Sequence, residues 1–561
     1  GDSGQAPSGN PPDMQNSSSD SSSASSNSSS DSSSAGSDSS DSSSAGSSGQ
    51  APSDSSGSMQ MPSGGQMPGN GGVKTVTMVL TGAEALAFAM ILIFLIMSRF
   101  NKKTIRETLP NKKKIAVFVV ITVLAGGALG TAGTLLPMKL MGGGAMGQMN
   151  GNGQMGGDQS GSQSSESVDA AGATEVDGTT KSLNKEYTST TADQSAVVVK
   201  NSGKLTSDGA TINKKSGDGS STDNCDFYGV NAGLLVNSKS SATVKNATIK
   251  TSADKSNAVF CTGEGSTLNI SDSTITTTGK SSCRGLDATY GGKITADNVK
   301  VTTQGGSCAT LATDRGEGTV AVTDSTLETN GSGSPVIYST GTISINNTKG
   351  TANGSQMVVV EGENSATVKS STLNASAAGN RGDVDVCGVM LYQSMSGDAG
   401  TGTSKFTAKN SSLSIDSDSD YYDSAPMFFV TNTSSVIKLT NTDLSYGSGT
   451  LLSAKGTSDW GTEGSNGGKV KLYANDQTLK GNVVLDDIST LSMSLKNGSA
   501  YKGTINGDDK AKSVKLTLSK DSTITLTGDS YVSSLDDEDS SYSNIDFNGH
   551  KLYVDGKAIS K

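Results

Sequence analysis

Apolar and polar positions between residues 231 and 380 repeat one short pattern. Each repeat begins with an apolar run, passes through small polar residues into an alternating apolar and polar stretch, turns at a polar corner and alternates again. The apolar runs recur every 22 to 27 residues, which is typical of a solenoid. These runs are Ala232–Val236, Ala258–Thr262, Cys283–Asp287, Cys308–Ala312, Pro335–Ser339 and Met357–Glu361.

The second half of each repeat predicts two short strands. In one copy, Leu268 and Ile270 alternate with polar residues up to a Ser-Asp-Ser corner. A shorter alternating stretch that contains Ile275 follows the corner. Period-two alternation of β-branched residues indicates strands, and no window between corners is long enough for a regular helix. Such coils, stacked about 4.8 Å apart, bury Leu, Ile and Val and expose Ser, Thr, Lys and Asn. The copies lie at 241–251, 266–277, 293–303, 319–329 and 365–375.

The fold class predicted is therefore all-β, a parallel β-helix over residues 194–561. Its coils are interrupted by polar excursions that project from one side of a solenoid and often carry the binding function. These excursions are 214–226, 393–405, 415–425 and 457–468.

Two apolar segments, 75–98 and 115–137, predict a transmembrane hairpin because each can cross a hydrocarbon core of about 30 Å as a helix. The loop between them, 99–114, carries seven Lys or Arg residues and one Glu. The positive-inside rule places this loop in the cytoplasm and both long flanks outside. The alternative is two buried helices of a soluble domain, and the second segment, which has no charged residue, argues against it.

Two further segments carry too few apolar residues for a core. Residues 1–72 are rich in Ser, Gly and Asp and contain no Lys or Arg, so we expect a disordered tail. Residues 138–193 begin with a run of Gly, Met and Gln and predict a flexible linker between membrane and solenoid.

Charge and residue usage exclude several classes of function. The net charge of -11 disfavours a nucleic-acid-binding protein, which needs a basic face. The single histidine, His550 near the end of the chain, excludes multi-histidine metal sites and disfavours Ser-His-Asp catalysis. Aromatic residues make up only 4% of the chain, which suits the thin core of a solenoid.

The five cysteines contain no CxxC pair. Cys283 and Cys308 occupy the same position in neighbouring coils, which brings their backbones within disulfide reach. They either form a disulfide or stack as buried free thiols, which behave as small hydrophobic side chains.

Seven longer strings stand out along the chain: FYGVNAGLLV (227–236), RGLDATYGG (284–292), LATDRGEGTV (311–320), GSPVIYSTG (333–341), GVMLYQSMSGDA (388–399), FFVTNT (428–433) and WGTEGSNGG (460–468). They resemble a group of uncharacterised surface proteins of Gram-positive bacteria that carry a right-handed parallel β-helix of pectate-lyase-like architecture. The resemblance covers roughly residues 194–510 and implies the fold and an extracellular position, but no established activity.

Polar residues on neighbouring coils form the predicted ligand site. If Cys283 lies over Cys308, Thr289 lies over Asp314 and the next residues pair likewise. Tyr rings stack on sugar faces, and carboxylates and guanidinium groups bond hydroxyls or uronates. The alternative is a structural ladder of paired charges. The proposed lateral patch consists of Arg284, Asp287, Tyr290, Asp314 and Arg315, with Tyr338 near the Leu311 position of the next coil.

Two other chemistries are weaker candidates. Asp287 and Asp314 could act as the acid and base of a glycoside hydrolase or lyase, although carboxylates one coil apart are common in any solenoid. Alternating aspartates in the excursion at 415–425 could wrap a Ca²⁺ ion, although the EF-hand Gly and Glu are absent and a solvated acidic loop is the alternative. These aspartates are Asp416, Asp418, Asp420 and Asp423.

Together these patterns and the resemblance predict a membrane-anchored bacterial cell-surface protein, an adhesin or polysaccharide-binding module without catalysis. Its expected partners are polysaccharides or glycans of host or neighbouring cells, and the lipid bilayer through two helices, but no nucleic acid. No cofactor is expected apart from the Ca²⁺ alternative. The alternative functions are a polysaccharide lyase or glycoside hydrolase and a passive cell-envelope scaffold.

Overall fold

The computed structural model describes residues 168–378 and 384–561. These residues form stacked coils whose strands pair in parallel with the strands of the next coil. Three long sheets result, which we call sheet A, sheet B and sheet C, with 12, 14 and 10 strands. The predicted parallel β-helix is confirmed. No helix in the described residues is long and apolar enough to span a membrane, and the predicted tail and transmembrane hairpin lie outside these residues.

Sheet A is formed by the apolar runs that open each repeat. Its central strands are buried at every position, as in Val259–Thr262. A parallel sheet covered on both faces has continuous apolar runs instead of alternation, as observed here. The strands are Ala171–Asp177, Gln194–Lys200, Leu234–Val236, Val259–Thr262, Leu286–Thr289, Leu311–Thr313, Ile337–Ser339, Val358–Glu361, Val389–Tyr392, Phe428–Thr431, Thr450–Ala454 and Asn482–Leu485.

Sheet B is formed by the longer alternating stretches, with one face in the core and one face in solvent. Leu268 pairs with Ala242 and Ile294 on the inner face, and all three are buried. The strands are Thr180–Leu183, Lys204–Asp208, Ser241–Lys245, Thr267–Ser271, Lys293–Asp297, Thr319–Thr323, Thr342–Asn346, Ser365–Lys369, Thr403–Lys409, Ser434–Thr440, Lys469–Asn475, Thr490–Lys496, Ser513–Leu518 and Ser534–Asp537.

Sheet C is formed by the shorter alternating stretches, and its inner positions complete the core. Its strands are Glu186–Ser189, Thr211–Lys214, Thr248–Thr251, Thr274–Thr277, Lys300–Thr303, Thr326–Thr329, Lys349–Ala352, Thr372–Ala375, Ser412–Ile415 and Asp443–Ser445.

Two smaller sheets complete the C-terminal coils. One holds four parallel strands, and the other ends in the antiparallel pair Leu552–Val554 and Lys557–Ile559. The remaining strands are Thr478–Lys480, Ala500–Gly503, Thr523–Leu526 and Ile545–Asp546 in the first sheet and Ser530–Val532 in the second.

The polar corner between sheets B and C is a left-handed residue repeated along the stack. Asn246, Asp272 and Asn298 have φ near +50°, a conformation that Asn and Asp tolerate better than most residues. The side-chain amide of Asn298 donates to Oδ1 of Asp272 at 2.8 Å. The recurring Asn/Asp corners of the sequence are therefore conformational requirements of the coil.

The solenoid begins one coil earlier than predicted. Strands at Ala171–Asp177, Thr180–Leu183 and Glu186–Ser189 lie within the segment predicted as linker, 138–193. The first of these pairs with Gln194–Lys200, its one strand neighbour among the described residues, and only Val176 of its seven residues is buried.

A short helix, Thr222–Tyr228, lies in the excursion after the second coil. The hydroxyl of Ser221 caps it by accepting from the backbone N–H of Asn224 at 3.2 Å. Gly229 ends it with φ of +70°. This helix brings one acidic and one aromatic side chain over sheet A.

Candidate functional site

The outer face of sheet A is covered by excursions of the chain. Phe260, Asp287, Ala312 and Tyr338 follow one another in register along this face. All four are fully buried. Two apolar clusters, separate from the main core, fill the space around them. The residues of these clusters are Ala170, Val198, Cys225, Val230, Ala232, Leu235 and Phe260 in one, and Ala309, Ala312, Tyr338, Val359, Val384, Cys387, Met390, Tyr392, Phe429 and Trp460 in the other.

Arg284 is the centre of a buried charge cluster under this cover. Its Nη1 donates to Oδ1 of Asp226, from the short helix, at 2.7 Å. Its Nε lies 3.1 Å from Oδ2 of Asp314 and 3.7 Å from Oδ2 of Asp287. All four side chains are completely buried. We call these residues, Asp226, Arg284, Asp287 and Asp314, the charge cluster.

Three carboxyls around one guanidinium leave the charge cluster with excess negative charge. Burial raises the pKa of all three carboxyls, while the charge of Arg284 acts in the opposite direction. The pKa of Asp287 reaches about 7. Asp287 and Asp314 lie close enough for their carboxyl groups to share a hydrogen bond. A proton retained by this pair would relieve their repulsion, since two adjacent buried carboxylates resist ionising together.

A second ion pair lies at the edge of the cover. Nε of Arg315 donates to Oδ1 of Asp398 at 2.9 Å. The guanidinium of Arg315 also lies over the ring of Phe227, with its carbon 3.9 Å from the ring centroid. The helix and the excursion after Tyr392 are therefore both held by Arg315, through cation–π and ionic contacts.

Two tyrosines stack beside this ion pair. The rings of Tyr228 and Tyr290 lie 5.4 Å apart at an interplanar angle of 20°. Both side chains are partly exposed, so they form the accessible rim of the covered region.

Glu361 forms a third buried group two coils further on. It accepts hydrogen bonds from the hydroxyls of Tyr338 at 2.8 Å and Tyr392 at 2.7 Å. The Ser394 hydroxyl also donates to it. Burial raises the pKa of Glu361, and these three hydrogen bonds act against the increase. The hydroxyls of Tyr338 and Tyr392 are thus both hydrogen-bonded to a buried carboxyl inside the protein.

The lateral patch predicted from the sequence is brought together, but its main members are buried. Arg284, Asp287 and Asp314 belong to the charge cluster, and only Tyr290 and Arg315 reach the surface. The register places Tyr338 beside Ala312, with Ile337 beside Leu311. Tyr338 therefore lies one residue from the Leu311 position, and this places it on the outer face of sheet A instead of the core face.

Three members of this region were missed in the sequence. Asp226 and Asp398 lie in the excursions 214–226 and 393–405, which the sequence marked as interruptions without indicating where they fold. Glu361 ends a predicted apolar run, and an acidic residue directly after Val358, Val359 and Val360 was the available signal.

The predicted calcium ligands are not gathered into a site. Asp416 accepts from the backbone N–H of Asp418 at 3.0 Å and from the Asn374 amide at 3.4 Å. Asp418, Asp420 and Asp423 are exposed. No group of three or more His, Cys, Asp or Glu residues in the described chain is arranged to hold a metal ion. The excursion is an acidic turn stabilised by its own hydrogen bonds.

The five cysteines are buried free thiols. Cys283 and Cys308 do occupy equivalent positions, and the backbone N–H of Cys283 donates to Sγ of Cys308 at 3.1 Å. Cys308 in turn donates its N–H to the Ser334 hydroxyl at 2.9 Å. The disulfide alternative is therefore not formed, and these thiols belong to a ladder of small polar side chains along the coils.

The fold defines the chain as a parallel β-helix protein. No protein-family model, curated protein or solved structure matches it. The resemblance to Gram-positive surface proteins remains a prediction, so the function must be argued from the surfaces of the solenoid.

Proposed function

We propose that the solenoid is a polysaccharide-binding module without catalysis, displayed by a membrane-anchored bacterial surface protein that acts as an adhesin. The observation that carries this proposal is the open outer face of sheet B. Thr243, Asn269 and Thr295 are exposed there and adjacent in register. Hydroxyl and amide groups repeat at the strand spacing of about 4.8 Å, and a polymer with repeating hydroxyls can contact many of them at once.

Repetition gives such a face avidity for polymers. Each contact with a sugar hydroxyl contributes little, because water competes for the same groups. A second subsite on the same rigid sheet meets a ligand that is already held nearby, so overall affinity increases without any strong single contact.

The burial of the charge cluster argues against catalysis at Asp287 and Asp314. A glycosidase needs both carboxyls in contact with the scissile bond and with water. Here both are fully buried, beneath the short helix and the excursion that carries Asp398. Their chemistry fits a cross-link that fastens the cover to sheet A.

Incubation of the full chain, purified in detergent, with neutral and acidic polysaccharides tests this proposal. We expect retention on at least one polysaccharide, with no release of reducing or unsaturated ends. Asp287→Asn should be retained equally well because residue 287 does not reach the surface. Release of new ends would indicate an enzyme, and failure to bind any polysaccharide would leave the scaffold function; either result would contradict the proposal.

Membrane topology can be tested separately by labelling an introduced cysteine. All five native thiols are buried, so background labelling should be low. We expect Asn101→Cys, in the predicted cytoplasmic loop, to react with an impermeant reagent only after the cells are opened. Asp508→Cys, at a position whose side chain is 73% exposed, should react in intact cells. The opposite pattern would reverse the proposed orientation.

A further inference from the structure

Lysines concentrate on one part of the outer face of sheet B. Five consecutive strands carry seven outward-facing lysines, and these strands contain no Asp or Glu. We call this surface the lysine face. Its lysines are Lys405, Lys409, Lys438, Lys469, Lys471, Lys496 and Lys515, and all are exposed.

The register places these side chains close together. Lys438 pairs with Tyr473 on the next strand, about 4.8 Å away at the backbone. Lys469, Lys471 and Tyr473 follow one another on the outer side of a single strand, at intervals of about 6.8 Å. Four strand-to-strand steps give the lysine face a span of about 19 Å along the solenoid, which accommodates several units of a polymer.

None of the seven lysines forms an ion pair in the described part of the chain. Other lysines do pair, as Lys455 does with Asp385 at 2.8 Å. The lysine face is therefore uncompensated positive charge on a chain whose net charge is -11. Concentrated unpaired charge of this kind attracts anionic ligands, and more strongly at low salt.

An aromatic side chain and a groove lie within the lysine face. Tyr473 is 41% exposed and is one of three large apolar side chains that the described residues expose to this extent. Together with Lys438, Lys471, Ser494 and Lys496 it lines a shallow groove of about 450 Å³. A ring beside ammonium groups suits a charged sugar, because the ring contacts the sugar face and the ammonium groups bind its anionic substituent.

We propose that the lysine face binds an anionic polysaccharide, with carboxylate or sulfate groups on Lys438, Lys471 and Lys496 and a sugar ring on Tyr473. This inference rests on the proposed polysaccharide-binding function and assigns it a ligand class and a position. An acidic sugar polymer fits better than duplex nucleic acid, because the exposed ring of Tyr473 can contact a sugar face, whereas the bases of a duplex are already stacked on one another.

Binding of the full chain to polygalacturonate and to its methyl-esterified form tests the inference, because esterification removes the charge and keeps the sugar. Dextran sulfate and dextran provide the same comparison for sulfate. We expect binding to both charged polymers, at least tenfold weaker binding to each neutral form, and affinity that falls with added salt.

Variants locate the site. Lys438→Gln with Lys471→Gln should weaken polygalacturonate binding about five- to tenfold, and Tyr473→Ala about tenfold. Lys300→Gln with Lys349→Gln, at exposed positions of sheet C, is the matched control and should leave affinity unchanged. Thermal unfolding of each variant checks that the fold is intact.

The outcomes separate this inference from the proposed function. If both double variants lose the same affinity for polygalacturonate, or if charged and neutral polymers bind equally well, the lysine face is not the binding site. Polysaccharide binding itself would still stand. Competition by duplex DNA at concentrations equivalent in charge would also overturn it, since the face would then bind any polyanion. If no polysaccharide binds the unaltered chain, both proposals fail.

Discussion

Arg284 is the residue that links the short helix over sheet A to the sheet itself. It is the single cation within hydrogen-bonding distance of Asp226 and Asp314 in the described structure, and every member of this group is fully buried. A buried carboxylate without its cation is strongly unfavourable, whereas a paired one adds little net stability.

We predict that Arg284→Met destabilises the solenoid by about 3–5 kcal/mol, because it leaves three buried carboxyls without a counter-charge. Chemical denaturation at neutral pH measures the change. Lys280→Met, at an exposed position near the same coil, is the control and should change stability by less than about 0.5 kcal/mol. Similar small effects in both variants would show that the charge cluster is not a structural cross-link.

Asp287 gives this stability a pH dependence. Burial raises its pKa from the ordinary 3.8 to about 7. Between these values the folded chain keeps a proton that the unfolded chain releases, so the contribution is full below about pH 3.8 and is lost as pH rises through about 7. In the unaltered chain the free energy of unfolding should therefore decrease as pH rises from about 4 to about 7. We predict that this decrease is smaller in Asp287→Asn, because asparagine cannot ionise.

Denaturation series at pH 4.5, 6 and 7.5 measure that slope. Asp418→Asn, in an exposed turn, is the matched control and should keep the slope of the unaltered chain. An unchanged slope in Asp287→Asn would mean that another group retains the proton.

For single residues, the sequence predicts which side chains are neighbours between coils better than it predicts whether they are buried. Counting residues per coil placed Thr289 over Asp314, and the register of Leu286 with Leu311 agrees. The burial of Arg284 could not be predicted in the same way, because its cover comes from Asp226, which is 58 residues away in an irregular segment.

Among the elements, the short helix Thr222–Tyr228 is the one whose position depends most on a single backbone geometry. Gly229 ends it with φ of +70°, and a Cβ built there would lie 2.4 Å from the ring of Phe260. The glycine is required both by the left-handed turn and by the close contact with sheet A.

We predict that Gly229→Ala destabilises the protein by about 2–4 kcal/mol, through backbone strain and collision with Phe260. Gly209→Ala is the matched control, because Gly209 has φ of +75° and open space around its Cβ position. Gly209→Ala should destabilise the protein by only about 1 kcal/mol, from backbone strain alone. Equal losses, measured by thermal unfolding, would show that the helix moves away without penalty.

Elements with a strict two-residue alternation were predictable, and elements at the ends of the stack were not. The strand Lys293–Asp297 alternates because one face packs in the core. Ala171–Asp177 was assigned to the linker because, as a terminal strand largely exposed to solvent, it lacks that pattern. Tertiary pairing with Gln194–Lys200 makes it a strand.

An antiparallel hairpin lies at the last described coils of the whole stack. A parallel β-helix exposes unpaired backbone groups at each end, which can pair with another chain. At the C-terminus the antiparallel strands Leu552–Val554 and Lys557–Ile559 close one sheet, and the ring of Tyr553 stacks on Tyr531 at 4.7 Å.

We predict that removing residues 551–561 makes the chain self-associate, because the strand Ser530–Val532 then loses its pairing partner. Sedimentation or light scattering should detect dimers or larger species at concentrations where the unaltered chain does not form them. Removal of Ser560 and Lys561 alone, beyond the last strand, is the control. No change in size after the longer deletion would mean that this end needs no cap.

The constant register of the central coils also bears on how such a chain can change in length over evolution. Ser241, Thr267 and Lys293 are direct neighbours and are each 26 residues apart. An in-frame duplication of 26 residues there would therefore insert one complete coil, lengthen the rod by about 4.8 Å and keep the backbone pairing above and below it in register. Gene length and molecular length are thus coupled in steps of one coil.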